Sequence, residues 1–289
     1  MAKRPPLRRQ SVHEILFACS FMLLGLTVGT FGTLIGAGGG FVLMPILLLL
    51  YPADSPALLT SISLAVVFFN AASGSEAYSR MGRIDYKTGL IFAAAAVPGA
   101  VFGAMTAGVA PRRLFDAVFG AALVAGALFL MINTKRKGGE TARNATGLTT
   151  RRLVEHDGTV HEYAFRLRDG VLISLGVGYI SSFLGIGGGI VHVPALIYIL
   201  NFPVHIATAT SHFILAIMAL AGTLVHVASG VFEHGVHRAI FLSIGVLAGA
   251  QLGARLSNRV KGRGIILSLA LALVFVGLRI LFQAFSSKG

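Results

Sequence analysis

The feature that most constrains this chain is a glycine cluster that occurs twice, each time inside apolar sequence. Gly36-Ala-Gly-Gly-Gly40 is followed by Pro45, and Gly185-Ile-Gly-Gly-Gly189 by Pro194. The copies stand 149 residues apart, about half the chain. Glycine and proline interrupt helices. A bilayer tolerates interrupted backbone only where protein, water or a ligand satisfies the freed N–H and C=O groups. Matched interruptions in two halves of a hydrophobic chain point to a binding site for a transported solute.

The surrounding sequence is apolar enough for that argument to apply. Hydrophobic residues make up 55% of the chain and charged residues 12%, and mean hydropathy is +0.80. These values place the chain among integral membrane proteins. Apolar segments run 12–35, 40–50, 57–79, 86–110, 113–132, 170–184, 190–200, 205–228, 236–254 and 264–285. Several exceed the ~20 residues that cross a bilayer as a helix. Segments 40–50 and 190–200 are short, and each directly follows a glycine motif; 170–184 is short as well.

The net charge of +13 does not indicate nucleic acid, because the basic residues lie in loops and tails between apolar segments. That placement orients a membrane protein and lets it contact anionic lipid. A basic vestibule that draws in an anionic solute is a second use of the same charge. Cys19 is the only cysteine, which rules out an intrachain disulfide and a cysteine-based metal site. Lys3-Arg4 and Arg8-Arg9 before a long apolar run read as an uncleaved anchor. Asn144-Ala-Thr146 matches a glycosylation sequon, a pattern too common to use alone.

The internal repeat extends past the glycines. Ala57-Leu-Leu-Thr60-Ser61 aligns with Ala207-Thr-Ala-Thr210-Ser211. Pro98-Gly99-Ala100 with Gly103-Ala104 aligns with Ala248-Gly249-Ala250 with Gly253-Ala254. The chain therefore divides into a first transmembrane repeat (1–132), a polar linker (133–169) and a second transmembrane repeat (170–289). The expected fold class is an all-α polytopic membrane protein, with broken or re-entrant helices at the glycine motifs. Within the linker, Arg152 to Tyr163 reads as a β-hairpin turning at Asp157-Gly158, and the rest as flexible.

Two topologies compete. If each motif and its flanks make one broken crossing, each half has four spans. The termini and linker then share a cytoplasmic side. Of the 24 basic residues, 18 fall on that side and six on the other: Arg112, Arg113, Arg255, Arg259, Lys261 and Arg263. If the flanks cross separately, each half has five spans, the halves are inverted, and the best split is 15 against 9. Positive-inside bias favours eight spans, with the cluster around Arg259 left unexplained. Gly99, Gly103 and Gly108, like Gly245, Gly249 and Gly253, sit at or near four-residue spacing and read as sites of close helix packing.

The motifs suggest chemistry for an anion. A glycine run at the start of a short helix leaves backbone N–H groups free at the positive end of the helix dipole. Gly38, Gly39 and Gly40 would form one such nest, and Gly187, Gly188 and Gly189 the other. Tight helix crossing is the plainer alternative. A bare cation would want carboxylates there, and Glu14, Glu76, Asp85, Asp116 and Glu233 all fall near span ends. Thr60, Ser61 and Ser63, matched by Thr208, Thr210 and Ser211, offer hydroxyl donors, or simply bond carbonyls one turn back. Asn70 reads as interhelical glue. His192, His212 and, less so, His226 could donate to an anion or carry a coupled proton. No lipase elbow, dinucleotide fingerprint or paired intramembrane carboxylates support an enzyme.

The duplicated Gly-x-Gly-Gly-Gly-x-x-x-x-Pro motif, the Thr-Ser pair after each copy, and Pro98-Gly-Ala-x-x-Gly-Ala104 resemble the sulfite exporter TauE/SafE family of bacterial inner-membrane transporters. The resemblance covers nearly the whole chain outside the ends and the linker. It implies secondary transport of sulfite, an organosulfonate or a similar small sulfur-containing anion, with no cofactor. It also implies that the motif glycines and Thr-Ser pairs line the site. His192 stands where the first copy has Leu43, a departure that bears on substrate or coupling ion. The expected partners are the anion, membrane lipid and a coupling proton or sodium ion; nucleic acid is excluded and a homo-oligomer is left open. The alternatives are a passive anion channel and a membrane sensor or scaffold acting through the linker.

Overall fold

Long uncharged runs become helices because a helix satisfies every backbone group within one segment. The computed structural model describes residues 7–133, 147–257 and 263–286. The first half gives α1 (Leu7–Ile35), α2 (Gly40–Leu50), α3 (Pro56–Ser79), α4 (Tyr86–Val109) and α5 (Arg112–Asn133). A hairpin of β1 (Thr149–Val154) and β2 (Val160–Phe165) follows. The second half gives α6 (Leu167–Leu184), α7 (Gly189–Tyr198), α8 (Val204–Ala228), α9 (Val236–Leu256) and α10 (Arg263–Ser286). Among the described residues, six helical stretches are long and apolar enough to cross a membrane. They lie in α1, α3, α4, α6 and α8 and over Val231–Leu256. The 11 residues of α2 and 10 of α7 reach only about 16 and 15 Å at 1.5 Å per residue, half the hydrocarbon thickness.

Glycine lets the long helices touch backbone to backbone. A methyl group on Gly99 or Gly103 of α4 would run into the Leu175 or Tyr179 carbonyl of α6. Gly245, Gly249 and Gly253 of α9 press in the same way on α1, as expected, whereas Gly108 has open space around it. Two large apolar clusters and one small one result. One large cluster joins α1, α2, α5, α9 and α10, the other joins α4, α7, α8 and the hairpin, and α3 contributes to both.

The chain reverses at each glycine motif. Helices α1 and α9 run parallel, with Gly25 against Leu242, Gly29 against Val246 and Gly253 against Thr30 and Thr33. Phe17 of α1 meets Phe241. Tyr51, just past α2, lies beneath the Arg238 guanidinium at 4.2 Å. The start of α1 and the end of α2 are thus both at the start of α9. In the second half the Phe202 ring, just past α7, packs at a tilt on Tyr163 and Phe165, with centroids 4.5 and 5.0 Å apart. The end of α7 therefore returns to the hairpin that leads into α6.

This corrects the expectation that each motif and its flanks form one broken crossing. Left-handed glycines turn the chain, and the half-length helix that follows leads back. The start of α1 and the hairpin therefore lie at opposite ends of the bundle, not on one side. Helices α5 and α10 run antiparallel, with Gly120 against Leu281 and Gly277 against Val124. The end of α9 and the start of α10 consequently fall at the hairpin end.

The hairpin pairs Thr149 with Phe165 through Val154 with Val160, with Asp157 and Gly158 in the turn. Gly158 has φ +90°. The Thr159 N–H donates to Asp157 Oδ1 at 2.9 Å and holds that carboxyl below its usual range. The strands extend a few residues beyond the expected 152–163. Lys135-Arg-Lys137, the Asn144 sequon, Arg259 and Lys261 lie outside the described residues.

Candidate functional site

The two glycine motifs meet. A Cβ built on Gly189 would lie 2.5 Å from the Gly36 carbonyl oxygen, and one on Gly40 would lie 2.7 Å from the Ile186 carbonyl carbon. All ten motif residues are buried. Gly39 and Gly188 cap α2 and α7 in the left-handed region, at φ +79° and +61°. Neither has room for a side chain: Val28 blocks Gly39, and Met218 and Ser181 block Gly188. Val67 of α3 wedges against Gly38, Gly40 and Gly187, with Leu215 of α8 beside Gly38.

Four of the six expected donors, Gly39, Gly40, Gly187 and Gly188, are open, and Phe41 and Ile190 take the places of Gly38 and Gly189. The Gly38 amide donates to the Gly32 carbonyl at 3.2 Å, and the Gly189 amide to Gly187 at 2.7 Å. Among the described residues, the amides of Gly39, Gly40 and Phe41 have no backbone acceptor, nor do those of Gly187, Gly188 and Ile190. Each half-helix thus begins with three open N–H groups where its dipole is positive. Pro45 and Pro194 lie inside α2 and α7 and withhold the donors that would pair the Phe41 and Ile190 carbonyls.

Hydroxyls and histidines form the next layer. Ser61 donates to Leu58 at 2.7 Å, and Thr210 accepts from the Asp85 amide at 3.1 Å. Thr60 Oγ1 and Ser211 Oγ are buried without a partner among the described residues. Each Thr-Ser pair therefore has one engaged hydroxyl and one open one. Thr60 lies against Gly185 and Thr208 against Gly36, and Ser63 donates to the Gly185 carbonyl at 2.5 Å. His212 Nε2 is 3.3 Å from Thr33 Oγ1, which is itself 3.3 Å from Asn70 Oδ1. His192 Nε2 is 3.2 Å from Ser174 Oγ, and its Nδ1 has no partner among the described residues. His226 is also buried, but near the other end of α8 and away from the motifs.

Three hydroxyls escaped the sequence reading. Ser181 Oγ crowds the Cβ position of Gly188, and Ser182 Oγ that of Gly222; both lack partners among the described residues. Thr33 joins His212 to Asn70. The available signal was positional: Thr33 and Ser182 each stand three residues before the first glycine of a motif.

A carboxylate read as a span-end acid is the hub of a buried network. Asp85 caps α4 through the Thr88 N–H at 3.0 Å. Its Oδ2 accepts from Thr88 Oγ1 at 2.6 Å and from the Tyr163 hydroxyl at 2.8 Å, with Arg151 Nε 3.6 Å away. Burial, and then the Asp85 charge, push the Tyr163 hydroxyl pKa well above the usual phenol range. Beside it, Arg83 pairs with Glu155 at 2.6 Å, and His161 Nε2 meets Glu155 Oε1 at 2.8 Å. The opposite end of the bundle holds an open depression of about 400 Å³. Ser55, Leu58, Ser229, Gly230, Val231 and His234 line it.

Apolar helices of membrane-crossing length, folded around two interrupted half-helices, define a multi-pass helical membrane protein. The chain belongs to the sulfite exporter TauE/SafE family, whose profile matches residues 21–280. It is 30% identical to the probable membrane transporter protein YunE of Bacillus subtilis, over 92% of this chain and 98% of that one. It is 25% identical to the probable membrane transporter protein YdhB of the same organism, over 93% and 100%. A probable membrane transporter protein of Methanocaldococcus jannaschii, MJ0441, is 22% identical over 89% and 92%. These relatives are named as transporters rather than enzymes. No solved structure matches.

Proposed function

We propose that this protein is a secondary transporter for a small sulfur-containing oxyanion such as sulfite or an organosulfonate, bound where the two glycine motifs meet. The observation that carries this reading is the pair of half-helix starts in contact, each with three unpaired amides. Such donors hold an anion without a lysine or arginine. Thr60, Ser61, Thr210 and Ser211, with His192 and His212, complete the ligand set. In the described arrangement Val67 and Leu215 fill the space between the motifs, which suits a closed state.

The halves act as inverted repeats that rock about this point, giving access to each end in turn. Eight helices, α1, α3–α6 and α8–α10, span the membrane, and α2 and α7 are re-entrant. With the chain reversing at each motif, nine of the 15 basic residues among the described ones fall at the hairpin end. That end is then cytoplasmic, and the start of α1 and the end of α10 lie on the other side. Arg255 and Arg263, on the wrong side of the favoured topology in the sequence reading, now sit with the majority. A proton or sodium ion couples the movement, with His192 and His212 the groups suited to a proton.

Thermal unfolding of the detergent-purified protein with a panel of anions tests the site. A ligand present at 100 times its Kd stabilises the folded state by about 2.7 kcal/mol. Sulfite or a sulfonate should raise Tm while chloride and carboxylates do not. No shift with any sulfur oxyanion would remove the basis for this substrate class.

A further inference from the structure

We propose that the hairpin is a strap that closes one end of the transport path, with Asp85 as the positioning residue through which it holds Thr210. The inference rests on the transport reading for the meaning of the path, but not on the identity of the anion.

Two routes run from the hairpin to the site. The polar route starts at Arg151 on β1 and Tyr163 on β2, which converge on the Asp85 carboxylate. The Asp85 main chain passes the constraint on, since its N–H donates to Thr210 Oγ1. Arg151 Nε also donates to Thr88 Oγ1 at 3.1 Å, which closes a ring of donors and acceptors around the start of α4. Thr210 adjoins Ser211, whose own hydroxyl is open. The apolar route passes from Phe165 to Phe92, ring centroids 6.1 Å apart, and from Phe92 to the His192 ring at 6.5 Å. Gly170 keeps Phe92 in place, because any side chain there would occupy the Phe92 ring.

The strap therefore grips α4 and α8, and through Phe92 it reaches α7. A flexible tether between two membrane halves needs none of this. A bare tether would not bury an Arg83–Glu155 ion pair with side-chain exposures of 11 and 4%. It would not place Tyr163 and Phe165 in the apolar cluster of α4, α7 and α8 either. The hairpin also spans the two halves, pairing with the α3–α4 connection of the first and with Phe202 of the second. If the halves rock, these contacts must break or slide for the hairpin end to open.

The test needs no known substrate. In a Cys19→Ser background, Ser211→Cys supplies one buried thiol beside Thr210, and its labelling by N-ethylmaleimide in detergent reports opening of the path. Tyr163→Phe with Arg151→Gln should speed labelling at least ~10-fold. Ala127→Cys, buried on α5 in the other apolar cluster, should stay slow in the same variant. An unchanged Ser211→Cys rate overturns the strap. So does an equal rise at Ala127→Cys, which would mean that the hairpin merely supports the fold. In parallel, sulfite and thiosulfate are tested in thermal unfolding of the parent protein, because sulfite adds across the maleimide double bond and would consume the label. Faster labelling with no rise in Tm for either anion keeps the strap and rejects the proposed anion site; a rise supports both.

Discussion

The two ends of this bundle are built differently. At one end a β-hairpin is fastened by a buried ion pair, a carboxylate shared by Thr88, Tyr163 and Arg151, and packed aromatic rings. At the other, the start of α3 and the turn after α8 surround an open depression, and Arg238 holds Asp54 at 2.6 Å with both side chains partly exposed. The helices beneath follow one order in both halves: long, short, long, long, long. The asymmetry thus comes from what was added between the halves. The two motifs supply the crossing point within the bundle, and in the proposed reading the hairpin decides which end is held shut.

Substitution can break the crossing point first. Gly188→Leu forces a side chain into the left-handed region, at about 1–2 kcal/mol for the backbone alone. It also drives that side chain into Met218 and Ser181. Anion flux in proteoliposomes should vanish, while gel filtration in detergent shows folded protein.

The strapped end should respond next. Removing Arg83 leaves the buried Glu155 carboxylate with His161 alone of its two partners, so Arg83→Ala should cost about 3 kcal/mol. Thermal unfolding reads the loss, and protease should then cut at the exposed Asp157–Gly158 turn. A smaller effect with opposite signs is expected at Thr60. Its unpartnered hydroxyl costs about 1 kcal/mol, so Thr60→Val should stabilise the protein by that amount. The same change should weaken anion binding about fivefold if the hydroxyl is a ligand. Calorimetry and a binding titration on one sample separate the two. The smallest effect belongs to Glu162→Gln. Its partner Arg152 lies on the exposed face of the hairpin, and such pairs contribute about 0–1 kcal/mol. Flux and Tm should stay within error of the parent protein.

Much of this was legible in the residues. Uncharged runs marked the helices, Asp157-Gly158 marked the hairpin turn, and the spacing of Gly245, Gly249 and Gly253 marked a close helix contact. What stayed hidden was direction. Whether a chain continues or reverses at Gly36–Gly40 depends on the φ of a few glycines and on what packs against them, and no periodicity records that. The sequence did contain the contradiction, since the cluster around Arg259 fell on the wrong side of the favoured topology. Asp85 was hidden for a related reason. It lies at a helix start, where a capping carboxylate is ordinary, and its partners Arg151 and Tyr163 are more than 60 residues away. Helices apolar on every face gave no stripe to say which side of α1 or α6 faces the motifs, so Thr33, Ser181 and Ser182 were missed.

The most direct test of the central claim is flux into proteoliposomes, measured for sulfite, thiosulfate and sulfoacetate against chloride. Two glycine breaks that form an oxyanion site require saturable uptake, competition among the sulfur anions, and loss of uptake in Gly39→Leu and Gly188→Leu proteins that remain folded. Flux that rises linearly with concentration, passes chloride equally well, or survives both substitutions would contradict it.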